Sequence, residues 1–199
     1  MSQIVYTVGH SNGTAERLLS LLAPHAITAV ADVRSRPYSR FNPQFNREEI
    51  AAFLKPNGVE YVFLGQELGG RPEDPSCYRD GRAQYSLIAR SRLFASGIRR
   101  LLTLTENFRV AIMCAEKDPL TCHRTILIAR HLHELGVEVR HLLEDGGVEG
   151  HDELLLRLLA RHGMQENNLF QTRDELVAIA YEKQAEDIQF AAEQAQQLA

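Results

Sequence analysis

Tryptophan is absent from the 199 residues, and cysteine occurs only three times, at Cys77, Cys114 and Cys122. Three thiols are too few, and of the wrong parity, for a disulfide framework. Reduced thiols in a cytosolic protein are expected instead, free for chemistry or metal. No apolar run approaches the ~20 residues of a membrane-spanning helix, so no membrane partner is expected. The opening stretch MSQIVYTVGHSNG lacks the basic-then-apolar pattern of a secretory leader. A net charge of −4 argues against a broad basic surface for nucleic acid, leaving room only for a local patch. Three motifs are also missing. No GxGxxG follows the first apolar run, no GxxxxGK[ST] occurs, and the cysteines lack CxxC spacing. Dinucleotide, P-loop and thioredoxin-type readings lose their support with them.

What is present is alternation. Five apolar, β-rich runs cover Ile4–Gly9, Ile27–Val33, Val59–Gly65, Arg109–Ala115 and Val137–Leu143. Several are apolar at nearly every residue, as in strands covered on both faces. Helical patterns fall near Thr14–Ala23, Arg47–Leu54, Tyr85–Leu104, Thr121–Leu135 and His151–Arg161. This order predicts a three-layer α/β fold: a mostly parallel sheet of about five strands with helices on both faces, plus a C-terminal helix. Asn46 with Glu49 reads as a capping box, Thr121 as the cap of the fourth helix, and Gly136 as its stop. The α/β domain is expected over residues 1–163, with a helical extension over 164–199. Thr172 and Glu175 cap that extension. Val177, Tyr181, Ile188, Ala191, Ala195 and Leu198 fall near one stripe, which packs back on the domain or pairs two copies into a homodimer. Two stretches read as long loops, Arg34–Asn46 with its arginines and aromatics, and Gly65–Tyr85 with its glycines and prolines. Cys77, in the second, reads as an incidental exposed thiol.

Ligands of such sheets bind beyond the carboxyl ends of the strands. His10, Ser11 and Asn12 follow the first strand, and Asp32, Arg34 and Arg36 close the second. Gly69, Gly70 and Arg71 follow the third. Cys114 and Glu116 end the fourth, and its loop leads to Cys122, His123 and Arg124. Polar strand ends are common because loops face water. That accounts poorly for Asp32 and Cys114, which lie inside apolar runs. Placed in the first turn of a helix, Cys122 would feel unpaired amides and the positive end of the helix dipole, which favour a thiolate. Cys122 and Cys114 are therefore the candidate reactive thiols, with His10, Glu116 and Asp32 as acid–base or orienting groups. Holding Arg34 or a loop amide is the equal alternative for Asp32. Arg124, His123, Arg34, Arg36, Arg71, Ser11 and Asn12 are candidates for gripping an anion, with Gly69 and Gly70 letting backbone come close. Zinc or iron at Cys114, Cys122 and His123, with His10 as a fourth ligand, is the alternative to a cofactor-free site. The spacing matches no standard zinc pattern, and adjacent Cys and His rarely reach one ion.

The stretches TVGHSNGT, ADVRSRPYSRFNPQFN, YVFLGQELGG and MCAEKDPLTCHR resemble the signature stretches of the domain of unknown function 488 family. The resemblance runs from Ile4 to about Leu143. It implies a compact α/β domain and makes Cys114 and Cys122, with His123 and Arg124, the suspected centre. It brings no reaction, and its association with DNA-repair-like contexts is circumstantial. The expectation is a cysteine-dependent enzyme acting on a small anionic, phosphorylated or nucleotide-like substrate. The rivals are a nucleic-acid-binding or repair-associated module, using the arginine–aromatic loop, and a metal-dependent enzyme or metal sensor.

Overall fold

The computed structural model describes residues 3–165 and 171–190. Its strands are β1 (Ile4–Gly9), β2 (Ala29–Asp32), β3 (Glu60–Phe63), β4 (Tyr78–Arg79), β5 (Arg82–Ala83), β6 (Val110–Cys114), β7 (Glu138–Leu142) and β8 (Val148–Gly150). The main sheet runs β3–β2–β6–β1–β7–β8. Its first five strands are parallel, and β8 is antiparallel to β7. The five apolar runs supply the parallel strands. The short β8 is an addition: Asp145, Gly146 and Gly147 turn the chain back, with Gly146 at φ 94°.

Alternation along the strands makes the three layers. Tyr6, Val8, Val30, Ala111 and Met113 face one side, where they meet Leu18 and Leu22 of helix α1 (Ala15–Leu22) and Ile50 and Leu54 of α2 (Arg47–Leu54). Their neighbours Val5, Ala29, Ala31, Val110, Ile112 and Cys114 face the other side. Four further helices lie in chain order after β3: α3 (Gly65–Leu68), α4 (Tyr85–Ala89), α5 (Arg92–Leu104) and α6 (Arg130–Glu134). They are followed by α7 (His151–Arg161) and α8 (Arg173–Ile188). Apolar side chains of α4 to α8 join the second face. Period-2 burial on both faces is what a covered parallel sheet requires.

Several local expectations are corrected. The helix expected over Tyr85–Leu104 is two helices, because Ser91 takes an extended conformation and caps α5, its Oγ accepting from Phe94 N–H. Asn46 caps nothing with its side chain: its Oδ1 accepts from Ser39 N–H and closes the preceding loop. The loop from Gly65 contains α3 and the β4–β5 hairpin. Cys77 is buried there, not exposed. Gly136 does stop α6, at φ 79°, and Thr172 with Glu175 does form the capping box of α8.

The C-terminal helix packs on its own domain. Leu176, Ala180 and Tyr181 enter the same apolar layer as the sheet, and Gln184 donates to Leu120 O at 2.9 Å. Val177 and Ile188 pack at the margin of that layer, while Ala191, Ala195 and Leu198 of the expected stripe lie outside the described residues. No described helix is long and apolar enough to cross a membrane.

A buried polar chain pins α8 and α7 to the sheet. Thr7 Oγ1 lies 2.8 Å from His141 Nδ1, His141 Nε2 lies 3.0 Å from His151 Nδ1, and His151 Nε2 lies 2.8 Å from Tyr181 OH. Burial pushes His151 from an ordinary 6.5 to about 4, and pushes His141 well down. Unfolded histidines take up protons near pH 6.5 while these stay neutral, so the stability present above that pH is lost as pH falls towards about 4. The urea midpoint is expected to drop between pH 7 and pH 5 by the equivalent of at least ~2 kcal/mol. A flat profile across that interval contradicts the buried neutral chain.

Candidate functional site

Because β6 lies between β2 and β1, the loops after these three strands meet. Gly9 at the end of β1 is level with Cys114 at the end of β6. Pairing then continues into the loops, with His10 N–H donating to Cys114 O and Ser11 N–H to Ala115 O. The backbone of Glu116 crosses directly over Gly9. A Cβ there would sit 1.9 Å from Glu116 O, so only glycine admits the crossing.

The chain returns through a 3₁₀ turn, Pro119–Thr121, to Cys122. Here the structure corrects the expected helix start. Thr121 is not the cap. Cys122 is extended, at φ −132° and ψ 140°, and its carbonyl accepts from Thr125 and Ile126 N–H. Its own Sγ receives Arg124 N–H at 3.4 Å, so the thiol stands at the helix terminus as a capping acceptor. The helix begins at His123 and passes through a π-helical stretch, Arg124–Ala129, into α6. Such stretches recur at functional sites.

The backbone change between extended Cys122 and helical His123 turns the two adjacent side chains to one place. Glu116 Oε2 lies 2.9 Å from Cys114 Sγ and 3.0 Å from Cys122 Sγ. His123 Nδ1 lies 3.7 Å from the first sulfur and 3.9 Å from the second. Its Nε2–H donates to Val33 O at 3.0 Å, which fixes the ring. Both cysteines are almost wholly buried, whereas Glu116 is exposed as a residue with its Oε2 between the sulfurs. Burial pushes the Cys114 thiol well up, and Cys122 beside it adds to the shift. Burial also opposes a Cys122 thiolate, but Cys114, Arg124 and His123 outweigh it and hold that thiol well down. For His123 burial is outweighed by Cys122, which raises the imidazole; burial and the same neighbour raise Glu116. Of the two thiols, Cys122 is the one favoured for negative charge, because Arg124 N–H points at its sulfur. Cys114, Glu116, Cys122 and His123 also form a group able to hold a metal ion, their ligand atoms all within 4.8 Å of one another.

A cleft of about 280 Å³ opens onto Cys114, Glu116 and His123. Arg34, Arg36 and Arg71 line its cationic side, and Tyr85, Ile188 and Phe190 its apolar side. Arg36 and Arg71 have no carboxylate partner among the described residues, although Arg71 stacks over Phe190 at 4.2 Å. Arg34 is different. Its guanidinium donates to both oxygens of Asp32, at 2.9 and 2.6 Å, and to Phe45 O at 2.7 Å. Asp32 also accepts from Arg34 N–H and from Tyr61 OH, so it is a positioning residue for Arg34.

Other expected site residues lie behind or beside the cleft. His10 is stacked on Phe45, with Nδ1 at 2.7 Å from Ser11 O and Nε2 at 3.1 Å from Arg34 Nη1. Burial, then Arg34, lowers it to about 4. Both ring nitrogens have structural partners, and His10 is not the fourth member of the thiol cluster; Glu116 is. Ser11 and Asn12 border the α1–α2 side, where Asn12 Oδ1 accepts from Asn42. Gly69 admits protein, whereas Gly70 lines the cleft beside the His123 ring. A Cβ on Gly69 would meet Ser35 Oγ at 2.3 Å, and one on Gly70 the His123 ring at 3.1 Å.

Arg124 does not reach the cleft. It is wholly buried, and its guanidinium donates to Glu116 O and to Lys117 O, clamping the loop that carries Glu116. Phe190 and Ile188, by contrast, gave no chemical signal in the sequence. Their place in the wall follows from the docking of α8.

A larger groove, about 750 Å³, lies beyond the Glu116 loop. It takes in Glu144 and Asp145 after β7, so that loop does not join the thiol cluster. Its charges are already matched, Lys117 with Glu144 and Arg157 with Asp118 and Glu149. In the loop after β2, Phe41 is exposed with Arg40 stacked on it at 4.8 Å, while Tyr38 OH donates to Glu48.

A family model described as domain of unknown function DUF488 matches residues 14–131, a span holding α1, β2, β3 and the whole thiol cluster. No curated protein and no solved structure matches the chain.

Proposed function

Since the chain belongs to the DUF488 family, whose description assigns no reaction, we propose from its geometry that it is a cysteine-dependent enzyme acting on a small anionic substrate, phosphorylated or nucleotide-like. The observation that carries this reading is the junction of two features in one cleft. Cys114, Glu116 and His123 of the thiol cluster border it, and Arg36 and Arg71, which have no carboxylate partner among the described residues, line it too.

The roles follow from position. Arg36 and Arg71 attract and orient the anionic group, with Arg34 held rigid beside them by Asp32 and His10. Tyr85, Ile188 and Phe190 supply apolar surface for the rest of the molecule, in the usual composition of a small-ligand pocket. Cys114 is the thiol that borders the cleft, and Cys122 stands behind it, at the helix terminus. Glu116 and His123 are the groups placed to move protons there. Arg124 keeps Glu116 in register through the loop carbonyls.

Inorganic phosphate is the simplest probe. Calorimetric titration is expected to show binding to the wild-type protein, and binding at least ~10-fold weaker to Arg36→Ala/Arg71→Ala, since each charge-assisted hydrogen bond contributes about 1.5–3 kcal/mol. Equal affinity in the two proteins, or none in either, overturns the anion-site reading.

A further inference from the structure

We propose that Cys114, Glu116, Cys122 and His123 bind one thiophilic divalent cation of the zinc class at the floor of the cleft. The role of the ion rests on the anion site proposed above, though its presence does not; with the ion bound, the two sulfurs, Glu116 and His123 act as ligands in place of the free-thiol and proton-carrying roles.

The distances carry the argument. Zinc takes thiolate sulfur at about 2.3 Å and nitrogen or oxygen at about 2.0–2.2 Å, so the edges of its tetrahedron run roughly 3–4 Å. The four cluster separations given by Glu116 Oε2 and His123 Nδ1 to the two sulfurs are 2.9, 3.0, 3.7 and 3.9 Å, and no pair of ligand atoms exceeds 4.8 Å. A small inward or outward adjustment of each side chain seats an ion between them.

The surroundings fit as well. A ligating histidine ordinarily donates its other ring N–H to a carbonyl or carboxylate. His123 does so to Val33 O at 3.0 Å, which leaves Nδ1 as the ligand atom. The Cys122 sulfur receives Arg124 N–H, a contact that orients it and tempers its charge. Two thiolates and a carboxylate carry three negative charges, and a dication removes two. The composition selects a soft ion: two sulfurs and an imidazole suit zinc, or iron, and not magnesium or calcium.

The placement implies more than a structural clip. Cys114, Glu116 and His123 border the cleft, while Cys122 is buried and does not line it. Glu116 comes from a loop and is the exposed member of the set. It is the ligand best placed to yield its position to an incoming substrate oxygen, while the two sulfurs and the ring stay fixed. An ion there faces the anionic group that Arg36 and Arg71 hold.

The test uses the full-length protein purified under reducing, anaerobic conditions without chelator. Elemental analysis is expected to show about one zinc or iron per chain. Added cobalt(II) is expected to occupy the same site and give the near-ultraviolet band of cobalt–thiolate bonds. Cys122→Ser and His123→Ala are expected to weaken cobalt binding by at least ~100-fold. Glu116→Gln, at an exposed position that the fold tolerates, is expected to shift the visible cobalt bands. Cys77→Ala is expected to bind as the wild type does, because Cys77 lies outside the cluster. Failure to bind zinc or cobalt at micromolar concentration in the reduced, folded protein overturns the proposal, as does unchanged binding in folded Cys122→Ser. A Cys114–Cys122 disulfide recovered in place of metal, under the same handling, also overturns it. Phosphate affinity reports separately. If Arg36 and Arg71 still govern it in a protein that takes no metal, only the metal proposal falls.

Discussion

Replacing Gly9 by alanine is expected to destabilise the protein by about 3 kcal/mol or more and to lower its melting temperature on the order of 10 °C. The added methyl would lie 1.9 Å from the carbonyl oxygen of Glu116 and 2.9 Å from its carbon. Both are backbone atoms, so no rotamer change relieves the contact. The loop after β6 must lift. Lifting it strains the hydrogen bonds from His10 and Ser11 to Cys114 and Ala115, and it separates Glu116 from the Arg124 clamp. Fold and site are thus coupled through one missing side chain. A thermal melt decides the matter, and a Gly9→Ala protein that melts within about 2 °C of wild type contradicts the crossing.

Arg124→Met gives the second large effect. The wild-type guanidinium spends two donors on Glu116 O and Lys117 O inside the protein. Methionine fills much of the volume but leaves those carbonyls without a donor, and removes the charge beside Cys122. Breaking a buried charged clamp of this kind costs about 3–5 kcal/mol. Arg124→Lys is expected to lose less, because an ammonium still donates, but not to recover the wild type, because it lacks the planar fork. Urea unfolding measures both. A methionine variant within about 0.5 kcal/mol of wild type means that the clamp contributes little. If phosphate affinity falls in a folded Arg124→Lys protein as far as in Arg36→Ala/Arg71→Ala, Arg124 belongs to the anion site after all.

Arg124 also shows where sequence reading stops. Arg34, Arg36, Arg71 and Arg124 look alike as letters beside strand ends. One is paired to Asp32, two line the cleft with no carboxylate partner among the described residues, and one is sealed inside on carbonyls. Burial and partners, not residue type, separate them, and both depend on loops distant in the chain. Glycines behave likewise. Gly69 suggests room for a ligand, yet the room is taken by Ser35. Gly9 drew no such reading, because the backbone that crosses it arrives from the other half of the domain.

Elsewhere local signals were sufficient. The five apolar runs alternate with helical patterns strongly enough to define a parallel sheet with helices on both faces, and β8 escaped only because it is three residues long. Cys114, Cys122 and His123 were legible as one centre, since a single strand–loop–helix segment carries them. Their convergence was not. It depends on Cys122 remaining extended at the helix terminus, which the capping reading of Thr121 concealed. Glu116 reads in sequence as an acid–base group, and its place as the fourth member of the cluster follows only from the fold of its loop. Phe190 needed the path of α8.

Anion recognition is proposed at this cleft and at no other. A titration of the isotope-labelled protein with inorganic phosphate, followed through its backbone amide resonances, tests that most directly. The largest shifts are expected at Arg36, Gly70, Arg71, Ala115 and His123, around the thiol cluster. Shifts confined instead to Lys117, Asp118, Glu144 and Glu149 in the larger groove, or no saturable shifts at all, contradict it.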